Sequence, residues 1–77
     1  MKKQTILLIE DNLATQKLVR VTLERENYVV LFASDGKSAL EILKTHVPDL
    51  ALIDLRLPDM DGWELAKKIK GTFLFPT

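Results

Sequence analysis

A chain of 77 residues permits one domain and forbids two, since independent domains rarely fall below about 50 residues. Its eleven basic residues cancel its eleven acidic ones, so no global field exists to hold nucleic acid or an anionic membrane. The absence of cysteine rules out a disulfide framework, a thiolate metal site and thiol catalysis together, and is compatible with a reducing cytoplasm, the expected location.

At this length roughly 60 per cent of the unfolded chain's surface can be buried, so one core of marginal stability is expected. The composition, 47% hydrophobic and 29% charged, is that of a soluble globular domain and not of a disordered tail. Behind Lys2 and Lys3 the apolar run covers only Ile6 to Ile9, too short for a signal-peptide core or a membrane span.

Residues 4–9 are, apart from Gln4, β-branched and leucine residues without polar alternation, the pattern of a parallel strand covered on both faces. Glu10, Asp11 and Asn12 end it. Asn12 or Asp11 is placed to cap a helix running to about residue 26, with Ala14, Leu18, Val21 and Thr22 at helical spacing. Residues 28–33 repeat the buried-strand pattern. Ser34-Asp35-Gly36 then supplies a turn before a second helix over 37–45, with Ala39, Leu40 and Leu43 facing inward.

Pro48 forbids further helix, and 50–53 form a third apolar strand that ends in Asp54. The loop Leu55-Arg56-Leu57-Pro58-Asp59-Met60-Asp61-Gly62 follows. A third helix is predicted over 62–70, begun by an Asp61 cap with Glu64 three residues on, as in a capping box, and stopped by Gly71. The tail, 72–77, is apolar enough to begin a fourth strand. No repeat, low-complexity tract or linker interrupts the chain.

Three alternations of strand and helix predict a parallel sheet with right-handed crossovers. In the strand order 2-1-3 the first and third strands are neighbours, and the ligand crevice lies outside their carboxyl ends. With that order Glu10 and Asp11 converge on Asp54. Three carboxylates in one crevice repel one another unless a cation neutralises them, which predicts a hard divalent ion with oxygen ligands, Mg²⁺ being the expected one. A carboxylate beside bound Mg²⁺ is suited to attack phosphorus, giving an aspartyl phosphate on Asp54. Acidic strand ends also arise for solubility alone, so the spacing by itself does not decide.

More specific are the pieces Ile6-Leu7-Leu8-Ile9-Glu10-Asp11-Asn12, Ala33-Ser34-Asp35-Gly36 with Ala39-Leu40, Pro48-Asp49-Leu50, and the run from Asp54 to Gly62. In order and spacing they resemble the receiver domain of two-component response regulators, across nearly the whole chain. The resemblance implies a flavodoxin-like doubly wound α/β fold with helices on both faces. It implies phosphorylation of Asp54 by a histidine kinase or phosphotransfer protein, and Mg²⁺ held by Glu10, Asp11, Asp54 and the backbone carbonyl of Arg56. It also implies a module that assists its own phosphoryl transfer and aspartyl-phosphate hydrolysis without being an enzyme in the ordinary sense.

The chain departs from the family in length. A complete receiver of this kind has five strands and about 120 residues, whereas residues 1–77 read as a single partial receiver of three βα units plus an apolar tail. The hydroxyl residue that ends the fourth strand and the lysine that ends the fifth have no counterparts, since neither Thr72 nor Thr77 fits the first role. The third strand is then a bare edge unless 73–75 or a second chain pairs with it. A fragment, a natural truncation or a homodimer through that edge is expected, and the competing function is a phosphorylation-incompetent structural or dimerisation module.

Other features carry less. His46 lies near a helix end, where capping accounts for it better than phosphorelay. Trp63 reads as packing or a partly exposed rim and not as a base-stacking platform, and Lys67, Lys68 and Lys70 as a solvated helix face. A phosphatase of the haloacid dehalogenase type needs a second aspartate where Arg56 stands. A mononucleotide fold needs a glycine-rich first turn where Glu10-Asp11-Asn12 would repel phosphate.

Overall fold

The computed structural model describes residues 3–69 and 72–75, the last four by their backbone. Its elements run β1 Thr5–Ile9, α1 Leu13–Arg25, β2 Val29–Ala33, α2 Gly36–Leu43, β3 Leu50–Asp54, α3 Gly62–Ala66 and β4 Thr72–Phe75. All strand pairs are parallel, in the order β2-β1-β3-β4. The expected 2-1-3 order is present, and β4 extends it by pairing Ala51 to Asp54 with residues 72–75. Among the described residues the sheet's edges are therefore β2 and β4, so β3 is not the bare edge that a three-stranded reading predicts.

The strands are apolar on both faces because helices cover both. Leu7, Ile9, Ala33, Ala51 and Ile53 pack with Ala39 of α2 and Leu65 of α3 into one buried cluster. The alternate residues Ile6 and Leu8 are also buried, and period-two alternation turns them to the opposite face. There α1 lies, with the Arg20 guanidinium 5.1 Å from the centre of the Phe32 ring. Burial of these leucine and isoleucine side chains, worth about 1.5–3 kcal/mol each, holds the sheet between the helices.

The ends of the helices are set by local chemistry. Asn12, not Asp11, caps α1, its Oδ1 accepting the Thr15 N–H at 2.9 Å. Asn27 in the left-handed region, φ 67°, turns the chain after α1, a conformation asparagine tolerates. Asp35 caps α2 by accepting the Ser38 N–H at 2.7 Å, which makes Gly36 the first helical residue. That helix closes with tightened bonds from Lys44 to Glu41 and from Thr45 to Ile42, so it ends before residue 45. α3 likewise tightens, through Lys68 to Leu65 and Ile69 to Ala66, and is shorter than the expected 62–70. The Lys70 end and the Gly71 stop lie outside the described residues. Asp61 caps α3 through the Trp63 N–H at 2.9 Å, while the Glu64 carboxylate meets Lys67 Nζ at 3.4 Å.

The packing of α1 does not follow its most apolar positions. Ala14, Leu18, Val21 and Thr22 do not face the sheet: all four are exposed, Leu18 by 69%. The helix is rotated so that Gln16 is its buried residue, because the Gln16 side-chain amide donates to the Glu10 carbonyl at 3.0 Å. That polar tie sets the phase of α1 in place of its most apolar stripe.

Candidate functional site

β1 and β3 are adjacent and in register, Ile9 opposite Ile53, so the next residue on each, Glu10 and Asp54, emerges at the same sheet edge. Both are fully buried. Asp11, one residue further, is exposed. One carboxylate oxygen from each of Glu10, Asp11 and Asp54 lies within 4.8 Å of the other two. All three sequence-predicted acidic residues thus meet in one place.

The backbone around them is tied down. Glu10 donates its N–H to the Ala33 carbonyl at 3.0 Å, accepts from Gln16 at its own carbonyl, and receives the Asn12 N–H on Oε1 at 3.0 Å. Its Oε2 is buried and accepts no hydrogen bond. Burial raises the Glu10 carboxyl above its ordinary range. The Asn12 N–H opposes that rise, and the negative charges of Asp54 and Asp11 add to it. Asp54 Oδ1 accepts the Arg56 N–H at 2.9 Å.

A buried, unsatisfied carboxylate oxygen is costly. Placed beside two more carboxylates, it fits a positive ion that takes oxygen ligands, since such an ion offsets both the repulsion and the missing hydrogen bond. The cluster is therefore able to hold a metal ion.

The loop after Asp54 is folded back on itself. Arg56 and Asp61 form an antiparallel bridge, and the Gly62 N–H reaches the Leu55 carbonyl at 3.3 Å. Gly62 is buried against the end of β3: a Cβ there would stand 2.6 Å from the Asp54 carbonyl oxygen. Asp59 crosses to another unit, its Oδ1 accepting the Gly36 N–H at 2.8 Å and its Oδ2 the Lys37 N–H at 3.0 Å. Sequence reasoning placed Asp59 in the loop and missed this bond, which joins residues 22 and 23 positions apart and has no local spacing to reveal it. Gln16 was missed for a different reason: its partner, the Glu10 carbonyl, is only six residues away, but a glutamine in a helix is ordinarily exposed.

The remaining candidates lie elsewhere. His46 follows α2 and precedes β3, at the amino ends of the strands, opposite the acidic cluster, with Thr45 Oγ1 2.9 Å from its Nδ1. Lys68 lines a shallow cleft there with His46, Val47 and Ile69. Trp63 is 58% exposed at the start of α3.

Known proteins resemble this chain in sequence and in fold. The family model of the response regulator receiver domain matches residues 6–74. The transcriptional regulatory protein PhoP of Bacillus subtilis, named for alkaline phosphatase synthesis, is 40% identical over 72 residues, 92% of this chain and 30% of that protein. The polar-differentiation response regulator DivK of Brucella anthropi is 34% identical over 67 residues, 87% of this chain and 54% of that one. The receiver domain of HemR from Leptospira biflexa superposes with a TM-score of 0.88 at 30% identity, covering 96% of this chain and 64% of that one. A CheY-like receiver from Methanospirillum hungatei gives 0.88 at 28% identity, with 97% and 65% covered. The chain thus spans less than two thirds of each of these relatives. With sheet order, acidic strand tips and the family match over 6–74 in agreement, this chain belongs to the response regulator receiver domain family.

Proposed function

We propose that Asp54 is the phospho-acceptor of a receiver module in two-component signal transduction, and that residues 1–77 act as one partial receiver unit. The observation that carries this reading is the meeting of Glu10, Asp11 and Asp54 within 4.8 Å, with Glu10 Oε2 buried and unpartnered. Glu10, Asp11, Asp54 and the Arg56 backbone carbonyl would hold Mg²⁺, which when bound offsets the charge gathered between acceptor and phosphoryl group.

In the transfer, an Asp54 carboxylate oxygen attacks the phosphorus of a phosphohistidine on a histidine kinase or phosphotransfer protein. An O–P bond forms as the P–N bond breaks, and the imidazole leaves with the bonding pair. The Arg56 N–H on Oδ1 holds the Asp54 carboxylate in one rotamer for that attack. Hydrolysis reverses the state: water attacks phosphorus, inorganic phosphate departs, and the Asp54 carboxylate is restored. The chain assists both steps on itself and turns over no other substrate.

Family membership and the assembled acidic residues support this reading over a purely structural module. Among the described residues no helix is long and apolar enough to cross a membrane, which fits a cytoplasmic site of action. A homodimer would form through the free edges β2 or β4, and light scattering tests it: a monomer at high concentration removes it. The acceptor is tested by incubating wild type and Asp54→Asn with Mg²⁺ and acetyl phosphate and measuring intact mass. One added phosphoryl group in wild type alone is expected; a folded wild type that gains nothing sinks the proposal.

A further inference from the structure

The loop following Asp54 is seated on α2 by two contacts of different kinds. One is polar: the Asp59 carboxylate bridges the N–H groups of Gly36 and Lys37 at 2.8 and 3.0 Å. These are charge-assisted bonds at a helix N-terminus, where the dipole favours an anion. The other is steric: Met60 occupies the space a side chain at Gly36 would need, a Cβ there standing 2.4 Å from Met60 Sδ and 2.5 Å from Cγ.

α2 already has its own cap, since Asp35 accepts the Ser38 N–H at 2.7 Å. The helix therefore gains a second carboxylate from 22 and 23 residues away, and what that carboxylate adds is the anchoring of the loop. Inside the loop, Arg56 is joined on one side to Asp54 Oδ1 through its N–H and on the other to Asp61 by the bridge. Displacement at Asp59 is thereby passed to Arg56. Without Asp59, the Arg56–Asp61 bridge and the Gly62–Leu55 bond still close the loop on itself, and of the two contacts that seat it on the neighbouring βα unit only that of Met60 with Gly36 remains.

We infer that Asp59 is a positioning residue: bridging Gly36 and Lys37, it latches the β3–α3 loop so that Arg56 stays registered on Asp54 and the acidic cluster. The inference rests on the reading of that cluster as the metal and acceptor site. Its test compares wild type, Asp59→Ala, Asp59→Asn and Asp35→Ala, all as the full chain. Mn²⁺ is the probe, its free concentration followed by electron paramagnetic resonance. Amide exchange across residues 55–61 is measured separately without metal.

Asp59→Ala weakens Mn²⁺ binding roughly tenfold, the loss typical when a group orienting a ligand is removed, and speeds exchange across 55–61. Asp59→Asn, which keeps one acceptor oxygen, falls between it and wild type. Asp35→Ala, which weakens α2 without freeing the loop, leaves both readouts near wild type. Equal losses in Asp35→Ala and Asp59→Ala would mean that Asp59 acts through helix stability alone and would overturn the inference, as would wild-type affinity in Asp59→Ala. Should Asp59→Ala unfold, the Asn variant decides: intermediate affinity supports the latch, and wild-type affinity removes it. A folded wild type that binds no Mn²⁺ contradicts the metal reading instead, and loop exchange unchanged by Asp59→Ala then removes the latch as well.

Discussion

Glu10 and Asp54 stand side by side at the carboxyl ends of neighbouring strands, one residue past the Ile9–Ile53 pair, and neither side chain is exposed to solvent. Two buried carboxylates at adjacent strand tips oppose folding, because each loses hydration and each repels the other. Parallel pairing brings them together regardless, and leaves Glu10 Oε2 without a hydrogen bond. The fold thus carries a local cost at the place where a cation would relieve it.

That cost predicts opposite effects of one substitution on two measurements. Glu10→Gln keeps the shape and an acceptor for the Asn12 N–H while removing one negative charge. In chelator at pH 7 it stabilises the chain, by on the order of 1–4 kcal/mol, the range for like charges a few ångströms apart between bulk water and a protein surface. In Mg²⁺ the gain vanishes, because the ion would lose a ligand. Urea unfolding with and without Mg²⁺ measures both. A variant that is less stable than wild type in chelator would show that Glu10 is favourable without any ion, against the account of the cluster given above.

Gly62 couples α3 to the end of β3. A Cβ at this position would stand 2.6 Å from the Asp54 carbonyl oxygen and 2.9 Å from the Leu55 Cα, both backbone atoms that cannot swing aside. Gly62→Ala therefore forces the helix start away from β3, at about 1–3 kcal/mol, the usual cost of overpacking. Because the shift falls on Asp54 itself, phosphorylation by acetyl phosphate slows in protein that is still folded. Normal labelling at wild-type stability would show that the backbone there has room to spare.

Much of this architecture was legible in the residues. Unalternated apolar runs at Ile6 to Ile9 and Leu50 to Ile53 marked strands covered on both faces, and the acidic residues directly after them marked the sheet edge where they meet. What was not legible depended on polar bonds from side chains to backbone groups outside their own element. Leu18 and Val21 stand exposed, while the buried residue of α1 is the polar Gln16, whose side-chain amide donates to the Glu10 carbonyl. Asp59 read as one more loop residue, since its partners at Gly36 and Lys37 are near it only once the sheet has formed.

Leu65 anchors α3. A helix of five residues cannot hold itself in water, and Leu65 is its fully buried side chain within the core shared with Leu7, Ile53 and Ala39. Leu65→Ala is expected to cost about 2–5 kcal/mol, a large share of the stability of a domain this size. Trp63, the single tryptophan, lies two residues away on the same helix and reports it. Its fluorescence transition in urea moves to lower denaturant than in wild type; coincident curves would show that α3 contributes little to the core.

Asp35 supplies the pH dependence. Its carboxyl is held below the ordinary aspartate value of 3.8, chiefly by the Ser38 backbone N–H it accepts and then by the Ser38 side chain, with the Lys37 charge a smaller help against burial. A carboxyl depressed in the folded state gives stability that is complete above its unfolded value and is lost as pH falls through the folded one. Its share is therefore intact at neutral pH and disappears below 3.8. In Asp35→Ala the cap is absent at every pH, so α2 is weakened most at neutral pH and the difference from wild type shrinks toward pH 3. Thermal midpoints of both proteins between pH 7 and pH 3 check this. Parallel curves over that whole range would mean the cap contributes equally whether charged or protonated, and that the depression of the Asp35 carboxyl is not linked to folding.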